Sequence, residues 1–373
     1  KIPGAVVIVG SGDGVQGTVS RGYADIASKE PIGPNTIFRF YSMTKPLACT
    51  AVMRLNEDGL IDLDDPIHSY LPEFSSMMVR DDDQIVPAQR DMTIRHLMTH
   101  TSGLGYSVVA SGISDDYKKA NVFAIENRLD ESLADHVERL AKMPLVGEPG
   151  SVWNYGESMG VLGRLVEVVS GMPFRTYLKQ EIFMPLNMTD TDFYVPKQKA
   201  DRLATLYEQG SNGKLVDVTG QKHYGGSYLQ KPQLEYGGAG LVGTPVDYTR
   251  FAQMLLNLGS LDGTDVLAPE SVRAMSSNHL GAELGSHPLS SLGRADNVGF
   301  GYCGQVGLGE IGAANGASQG EYGWGGWAST KFWVDRKQDS MVLIFTQVLP
   351  GESPLLDLNE SVREALRVSG PKH

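Results

Sequence analysis

The chain has 373 residues, 41% of them hydrophobic and 20% charged, and a net charge of −12. These proportions suit a globular protein with a substantial core. They argue against nucleic acid as a partner, since no basic stripe appears, and against a membrane, since no apolar run approaches the ~20 residues of a span.

Residues 5–10, Ala-Val-Val-Ile-Val-Gly, predict a strand. Gly10-Ser11-Gly12-Asp13-Gly14 follows, and Val15–Val19 resumes an extended pattern. A phosphate-binding loop would need a helix next, so the glycines predict a hairpin turn. Thr36–Tyr41 is β-branched and aromatic and predicts a strand or a buried extended entry. Leu47, Ala48, Ala51, Val52 and Leu55 then recur at helical spacing, with Pro46 in the first turn and Gly59 near the stop. Ser42 is thereby expected at a helix N-terminus, with Lys45 on the same face.

Ser42-Met43-Thr44-Lys45 is thus a Ser-x-x-Lys pattern in a context that suits a nucleophile. The pattern recurs at Ser211–Lys214 and Ser369–Lys372, but neither copy leads into helical periodicity. Cys49 lies within the predicted helix and reads as a small buried residue. With Cys303 it makes too few cysteines for a disulfide framework, and two reduced thiols suit a cytoplasmic protein. The chain begins at Lys1, as after removal of a leader or trimming.

From 61 to 214 the character changes. Asp62–Pro66 and Asp81-Asp82-Asp83 read as solvated loops, and helical patterns follow around 92–100, 132–142, 158–170 and 174–183. From 215 Gly-rich turns and strands return, with one helix opened by Thr244-Pro245-Val246-Asp247 and stopped near Gly259. Ala328–Val334 and Met341–Val348, joined by Asp335–Asp339, predict an antiparallel hairpin. The resulting expectation is an α/β lobe from 1–60 and 215–373, a helical lobe from 61–214, and an active site in the cleft between them.

A serine hydroxyl is a poor nucleophile until a base takes its proton. Lys45 serves only when neutral, which calls for desolvation or neighbouring positive charge, and a third group commonly shares the proton. Tyr155, in Trp153-Asn154-Tyr155-Gly156-Glu157 just before a predicted helix, is the candidate for that group. Gly323-Trp324-Gly325-Gly326-Trp327 precedes a predicted strand, where glycines let backbone approach a ligand and N–H groups can hold an oxyanion.

Taken together, Ser42–Pro46, Leu97-Met98-Thr99-His100-Thr101-Ser102-Gly103-Leu104, Tyr155, Tyr236-Gly237-Gly238-Ala239-Gly240-Leu241 and Trp324-Gly325-Gly326 occur in an order that resembles the serine β-lactamase-related family. That group contains class C β-lactamases, D,D-peptidases and family VIII carboxylesterases. The resemblance implies a two-lobe serine β-lactamase-like fold, with an antiparallel sheet flanked by helices and an inserted helical lobe. It implies acylation of Ser42, proton handling by Lys45 and Tyr155, and an oxyanion hole from the N–H groups of Ser42 and Trp327. Two departures separate the chain from the β-lactamase and peptidase branch. Trp324-Gly325-Gly326 stands where that branch has Lys-Thr-Gly, which removes a charge partner for a substrate carboxylate and adds an apolar wall. Tyr155-Gly156-Glu157 stands where it has Tyr-x-Asn. Both departures resemble the family VIII esterases and make Trp324, Gly325, Gly326 and Glu157 the expected substrate-binding residues. Glu157 also suits a helix start, where its charge meets the dipole.

Other readings are weaker. Gly156-Glu157-Ser158-Met159-Gly160 matches a nucleophile elbow, but a turn rather than a strand precedes it, and Gly316–Gly320 matches the same pattern. His96 and His100 have zinc spacing but lack the metalloprotease glutamate and read as structural. His68, His136, His223, His279, His287 and His373 form no recognisable cluster. A non-catalytic binding or sensing module is the alternative to an enzyme, and retention of Ser42, Lys45 and Tyr155 together opposes it. The expectation is a serine carboxylesterase acting on a small-molecule ester, without metal or cofactor. A β-lactamase, a D,D-peptidase or an acyltransferase is the alternative within the family.

Overall fold

The computed structural model describes residues 2–82, 84–109, 112–284, 297–310, 318–349 and 361–365, with Leu289, Leu292 and Leu358. Lys1, Ser369–Lys372, His287, His373, Asp83, Gly316 and Ala317 lie outside the described residues. The fold is mixed α/β around a large antiparallel sheet. Strands β1 (Gly4–Ser11), β2 (Gly14–Asp25) and β3 (Glu30–Pro31) form one part of that sheet. Strands β4 (Val298–Phe300), β5 (Gln305–Gly307), β6 (Glu321–Gly326), β7 (Thr330–Asp335) and β8 (Ser340–Phe345) form the rest. Their order across the sheet is β4-β5-β6-β7-β8-β1-β2-β3. The Gly10–Gly14 turn and the 335–339 connection are both hairpins, as expected.

The two-residue period of the strands sorts the core. Val6, Ile8, Phe332, Met341, Leu343 and Phe345 face one way, into the main core. Val7, Val9, Trp333, Val342 and Ile344 face the other way, with Leu358 and Val362 against them. Full burial of such a side chain is worth about 1.5–3 kcal/mol.

Helix α1 (Thr44–Glu57) is apolar on nearly every side and runs through the main core, so it is buried nearly all round. Around it lie α2 (Ile94–Met98), α3 (Leu133–Leu140), α4 (Ser158–Ser170), α5 (Phe174–Leu178) and α6 (Pro245–Leu256). The Thr244 hydroxyl accepts the Asp247 N–H at 3.1 Å, the cap its sequence predicts. Thr36–Tyr41 is the buried entry expected, with a two-residue strand, Phe38–Arg39, paired with Val242–Gly243. The helix expected over 174–183 leaves α geometry after Leu178 and becomes a π turn, Lys179–Phe183.

The cysteine expectation is corrected. Cys49 on α1 and Cys303 in the β4–β5 turn form a disulfide, with their Cα atoms 6.1 Å apart across 254 residues of sequence. Packing of α1 beneath that turn creates the proximity, which neither local sequence contains. Two reduced thiols are therefore no argument for the cytoplasm, since disulfides persist in oxidising compartments. No helix among the described residues is long and apolar enough to cross a membrane.

Candidate active site

Ser42 lies in a 3₁₀ turn, Tyr41–Met43, that feeds directly into α1. The preceding Tyr41 has φ +45°, a left-handed conformation that costs a non-glycine residue about 1–3 kcal/mol. The surroundings over-determine it. The Tyr41 hydroxyl donates to the Tyr224 carbonyl at 2.9 Å, and the Tyr248 hydroxyl donates to the Met43 carbonyl at 2.8 Å. The Phe40 N–H donates to the Leu241 carbonyl at 2.9 Å, and the Leu241 N–H donates to the Thr44 hydroxyl at 3.1 Å. The turn is thereby clamped on both sides and Ser42 is left half-buried.

Lys45 occupies the first turn of α1 and is 0% exposed. Its Nζ donates to Ser42 Oγ at 3.0 Å and to the Gly238 carbonyl at 2.7 Å, both neutral oxygens. Tyr155 comes from the opposite wall. Its hydroxyl donates to Ser42 Oγ at 2.7 Å, and Lys45 Nζ stands 4.6 Å from its ring centroid. Ser42, Lys45 and Tyr155 thus form one hydrogen-bonded cluster centred on the serine oxygen. In such a cluster Lys45 Nζ and the Tyr155 hydroxyl are the two groups within reach of a proton leaving Oγ, and either takes it only in its deprotonated form.

The 97–104 motif acquires a physical role here. The Asn154 N–H donates to the His100 carbonyl at 2.8 Å, the Asn154 amide to the Leu104 carbonyl at 2.7 Å, and the Glu157 N–H to the Gly105 carbonyl at 3.1 Å. A Cβ on Gly156 would lie far inside 3.0 Å of the Leu104 carbonyl, so only glycine lets the two segments close. This ladder fixes the turn that projects Tyr155. The His100 ring packs 4.7 Å from the Tyr155 ring. Burial, and then the Lys45 charge, push His100 well below the usual imidazole range, so it is a neutral wall.

Trp324 is 4% exposed, and its indole N–H points at the Tyr155 hydroxyl at 3.4 Å. It sits in the middle of β6 opposite Phe332. The indole therefore backs Tyr155 rather than lining an open wall for substrate. At the end of β6, a Cβ on Gly326 would collide with the Phe40 carbonyl, so this edge presses directly on the residues before Ser42. Trp327 follows in the β6–β7 turn, its ring edge-on to Tyr41 with centroids 5.6 Å apart. Gly325 and Gly326 are half-buried along the same edge.

Glu157 is corrected as a substrate contact. It is 0% exposed and its carboxylate faces His136, 3.5 Å away, behind the Tyr155 turn. The helix start turns this side chain inward, whereas the sequence pattern alone left it beside the cleft. Ser158 is equally buried, with its hydroxyl 2.8 Å from that of Ser102, and is not displayed on an elbow. His96 closes the α2 capping box with Thr93. Sequence reasoning missed the Gly238 carbonyl on Lys45, the packing of His100 on Tyr155, and the buried Tyr106 and Tyr236. The Tyr236–Leu241 and Leu97–Leu104 motifs were the available signals, but a motif does not say which atom it presents.

Residues 1–367 match the family model described as Beta-lactamase. Protein Rv1367c of Mycobacterium tuberculosis is 37% identical over 308 residues, covering 81% of this chain and 73% of that protein. Esterase EstB of Burkholderia gladioli is 30% identical over 359 residues, covering 93% and 86%. Among solved structures, that of EstCE1, a hydrolase with promiscuous acyltransferase activity, superposes with a TM-score of 0.82 at 26% identity, over 98% of this chain and 93% of that one.

Proposed function

The chain belongs to the Beta-lactamase family, and from that premise we propose that it is a serine carboxylesterase acting on short-chain or small aromatic esters through an acyl-enzyme on Ser42. The observation that carries the reading is the serine oxygen held at once by Lys45, at 3.0 Å, and Tyr155, at 2.7 Å. In this reading the Lys45 amine, in its neutral form, takes the Ser42 proton, directly or relayed through the Tyr155 hydroxyl, as Oγ attacks the ester carbonyl. The N–H groups of Ser42 and Trp327 hold the oxyanion, each such donor being worth roughly 3 kcal/mol in the transition state. The close approach of the β6 end to the Ser42 turn supports that placement. The tetrahedral intermediate collapses, the alcohol leaves with the proton returned through Tyr155, and water then releases the acid.

Substrate would enter between a lobe of 1–60 with 215–373, which supplies Ser42, Lys45 and Trp327, and a lobe of 61–214, which supplies Tyr155. Esters are favoured over penicillin-like substrates because an indole occupies the position of the carboxylate-holding lysine and Glu157 is turned away from the cleft. Similarity to EstB supports the esterase. Similarity to EstCE1, with its promiscuous acyltransferase activity, favours acyl transfer as a second outcome. There an alcohol replaces water at the acyl-enzyme. The disulfide favours an oxidising compartment.

The test is mapping of an activated phosphonate ester together with turnover of p-nitrophenyl butyrate, with and without added alcohol. One adduct on Ser42, rapid turnover, and loss of both in Ser42→Ala with the fold intact are expected. An adduct elsewhere, or substantial turnover by Ser42→Ala, would refute the mechanism. Formation of the alkyl butyrate would establish the transferase outcome.

A further inference from the structure

Behind the Tyr155 turn lies a buried polar cluster that the proposed reaction does not use. Glu157 is the residue before α4 and makes no capping hydrogen bond with its side chain. Instead its carboxylate lies 3.5 Å from His136 Nε2, and both residues are 0% exposed. His136, on α3, presents its other nitrogen to Glu131 at 3.1 Å. Arg139, one turn on, donates to Glu131 at 2.5 Å. Glu131 holds Nδ1 by a hydrogen bond and Glu157 faces Nε2 at ion-pair rather than hydrogen-bond distance, so the two carboxylates together favour the imidazolium form of the ring. Two carboxylates then balance one imidazolium and one guanidinium, which is what allows the cluster to be buried.

The cluster continues toward the site. The Tyr236 ring lies 6.3 Å from that of His136, and the Tyr236 and Tyr106 hydroxyls are 2.6 Å apart. The Tyr106 ring stands edge-on to Tyr155 at 5.5 Å, with Lys45 Nζ 5.9 Å from it. Burial first, and then the Glu157 charge, push both phenols well above the usual tyrosine range. Two protonated phenols sharing one hydrogen bond leave one proton without an acceptor in the pair, and the Glu157 carboxylate, whose oxygens make no hydrogen bond, is the charge acting on both.

We propose that Glu157 and His136, anchored by Glu131, are positioning residues that act through the Tyr236–Tyr106 hydroxyl pair to hold the Tyr106 ring against Tyr155 and Lys45. The inference rests on the acyl-enzyme reading above, and none of its residues needs to meet substrate. It explains why a carboxylate follows the tyrosine by two positions: the charge serves the back of the site, not its mouth. The groups facing His136 are Glu131 ahead of α3, Glu157 at the start of α4, Tyr236, and, through their partners, Arg139 and Tyr106. Burial opposes the imidazolium, but the two carboxylates win and hold His136 above the ordinary imidazole value. Deprotonation on the alkaline side would leave a net buried negative charge beside the phenols.

The experiment compares kcat and KM for p-nitrophenyl butyrate against pH in the full chain, in Tyr106→Phe, and in the double variant Glu157→Gln/His136→Gln. The double variant removes one charge of each sign, so the buried cluster stays balanced and the fold is kept. Both variants are expected to lower kcat by about ten- to hundredfold, the scale of a small misplacement of reacting groups, with KM within about twofold. The double variant is also expected to lose an alkaline limb that the parent shows. Phosphonate labelling of Ser42 should persist in all three. Unchanged kcat and pH profile with Ser42 still labelled would overturn this inference and leave the esterase reading standing. A parent protein that neither labels nor turns over would overturn both.

Discussion

Trp324→Phe removes one donor and keeps an aromatic ring in the wall behind Tyr155. The indole N–H is 3.4 Å from the Tyr155 hydroxyl, which is itself 2.7 Å from Ser42 Oγ. An N–H···O contact of that length is worth at most about 1 kcal/mol while the phenol is neutral, roughly a fivefold effect. If Tyr155 carries negative charge as Ser42 gives up its proton, the same contact becomes charge-assisted and is worth about 1.5–3 kcal/mol. The expected loss in kcat/KM is then about ten- to hundredfold, with Ser42 still labelled by a phosphonate. Trimming the buried indole also costs about 1–3 kcal/mol of stability, so rates are compared well below the variant's melting temperature. Tyr155→Phe completes a double-mutant cycle with p-nitrophenyl butyrate as substrate. Because the indole acts through the hydroxyl, adding Trp324→Phe to Tyr155→Phe should change little further. A further tenfold loss in the double variant would refute the reasoning and make Trp324 a contact in its own right.

Gly156→Ala drives a methyl into the Leu104 carbonyl and displaces the Tyr155 turn. It should lower kcat about tenfold or more and cost about 1–3 kcal/mol of stability by denaturant melts; native activity would show that the segments can part freely. Cys49→Ala/Cys303→Ala should lower stability by about 2–4 kcal/mol, the upper part being expected for so long a closed loop. Two thiols titrating in the native, unreduced protein would contradict the disulfide. Stability should also depend on pH in two directions. His100, held below the usual imidazole value, contributes stability that is present above about 6.5 and lost as pH falls through and below it. His136, held above that value, contributes stability that is present below about 6.5 and lost as pH rises through its folded value. Melting temperatures should therefore fall on both sides of that range, His136→Gln should flatten the alkaline side, and a profile flat from about pH 5 to 8 would contradict both assignments.

What the sequence determined by itself is local or ordered along the chain. The β1–β2 and β7–β8 hairpins, the helix after Ser42, the α4 boundaries and the Thr244 cap follow from turn residues, periodicity and caps. These depend on neighbours a few positions apart. The candidate site residues were legible because the Ser42–Lys45 spacing puts both on one face and the remaining motifs fall in order. The tertiary structure alone decided which atoms meet. Cys303 reaches Cys49, the Gly238 carbonyl reaches Lys45, and the indole of Trp324 turns to Tyr155 because distant segments pack against α1. Glu157 shows the difference most clearly. Its position two residues after Tyr155 placed it beside the cleft, yet its direction was set by a charged partner on α3. A buried carboxylate must find such a partner, and only the packed chain determines where one stands.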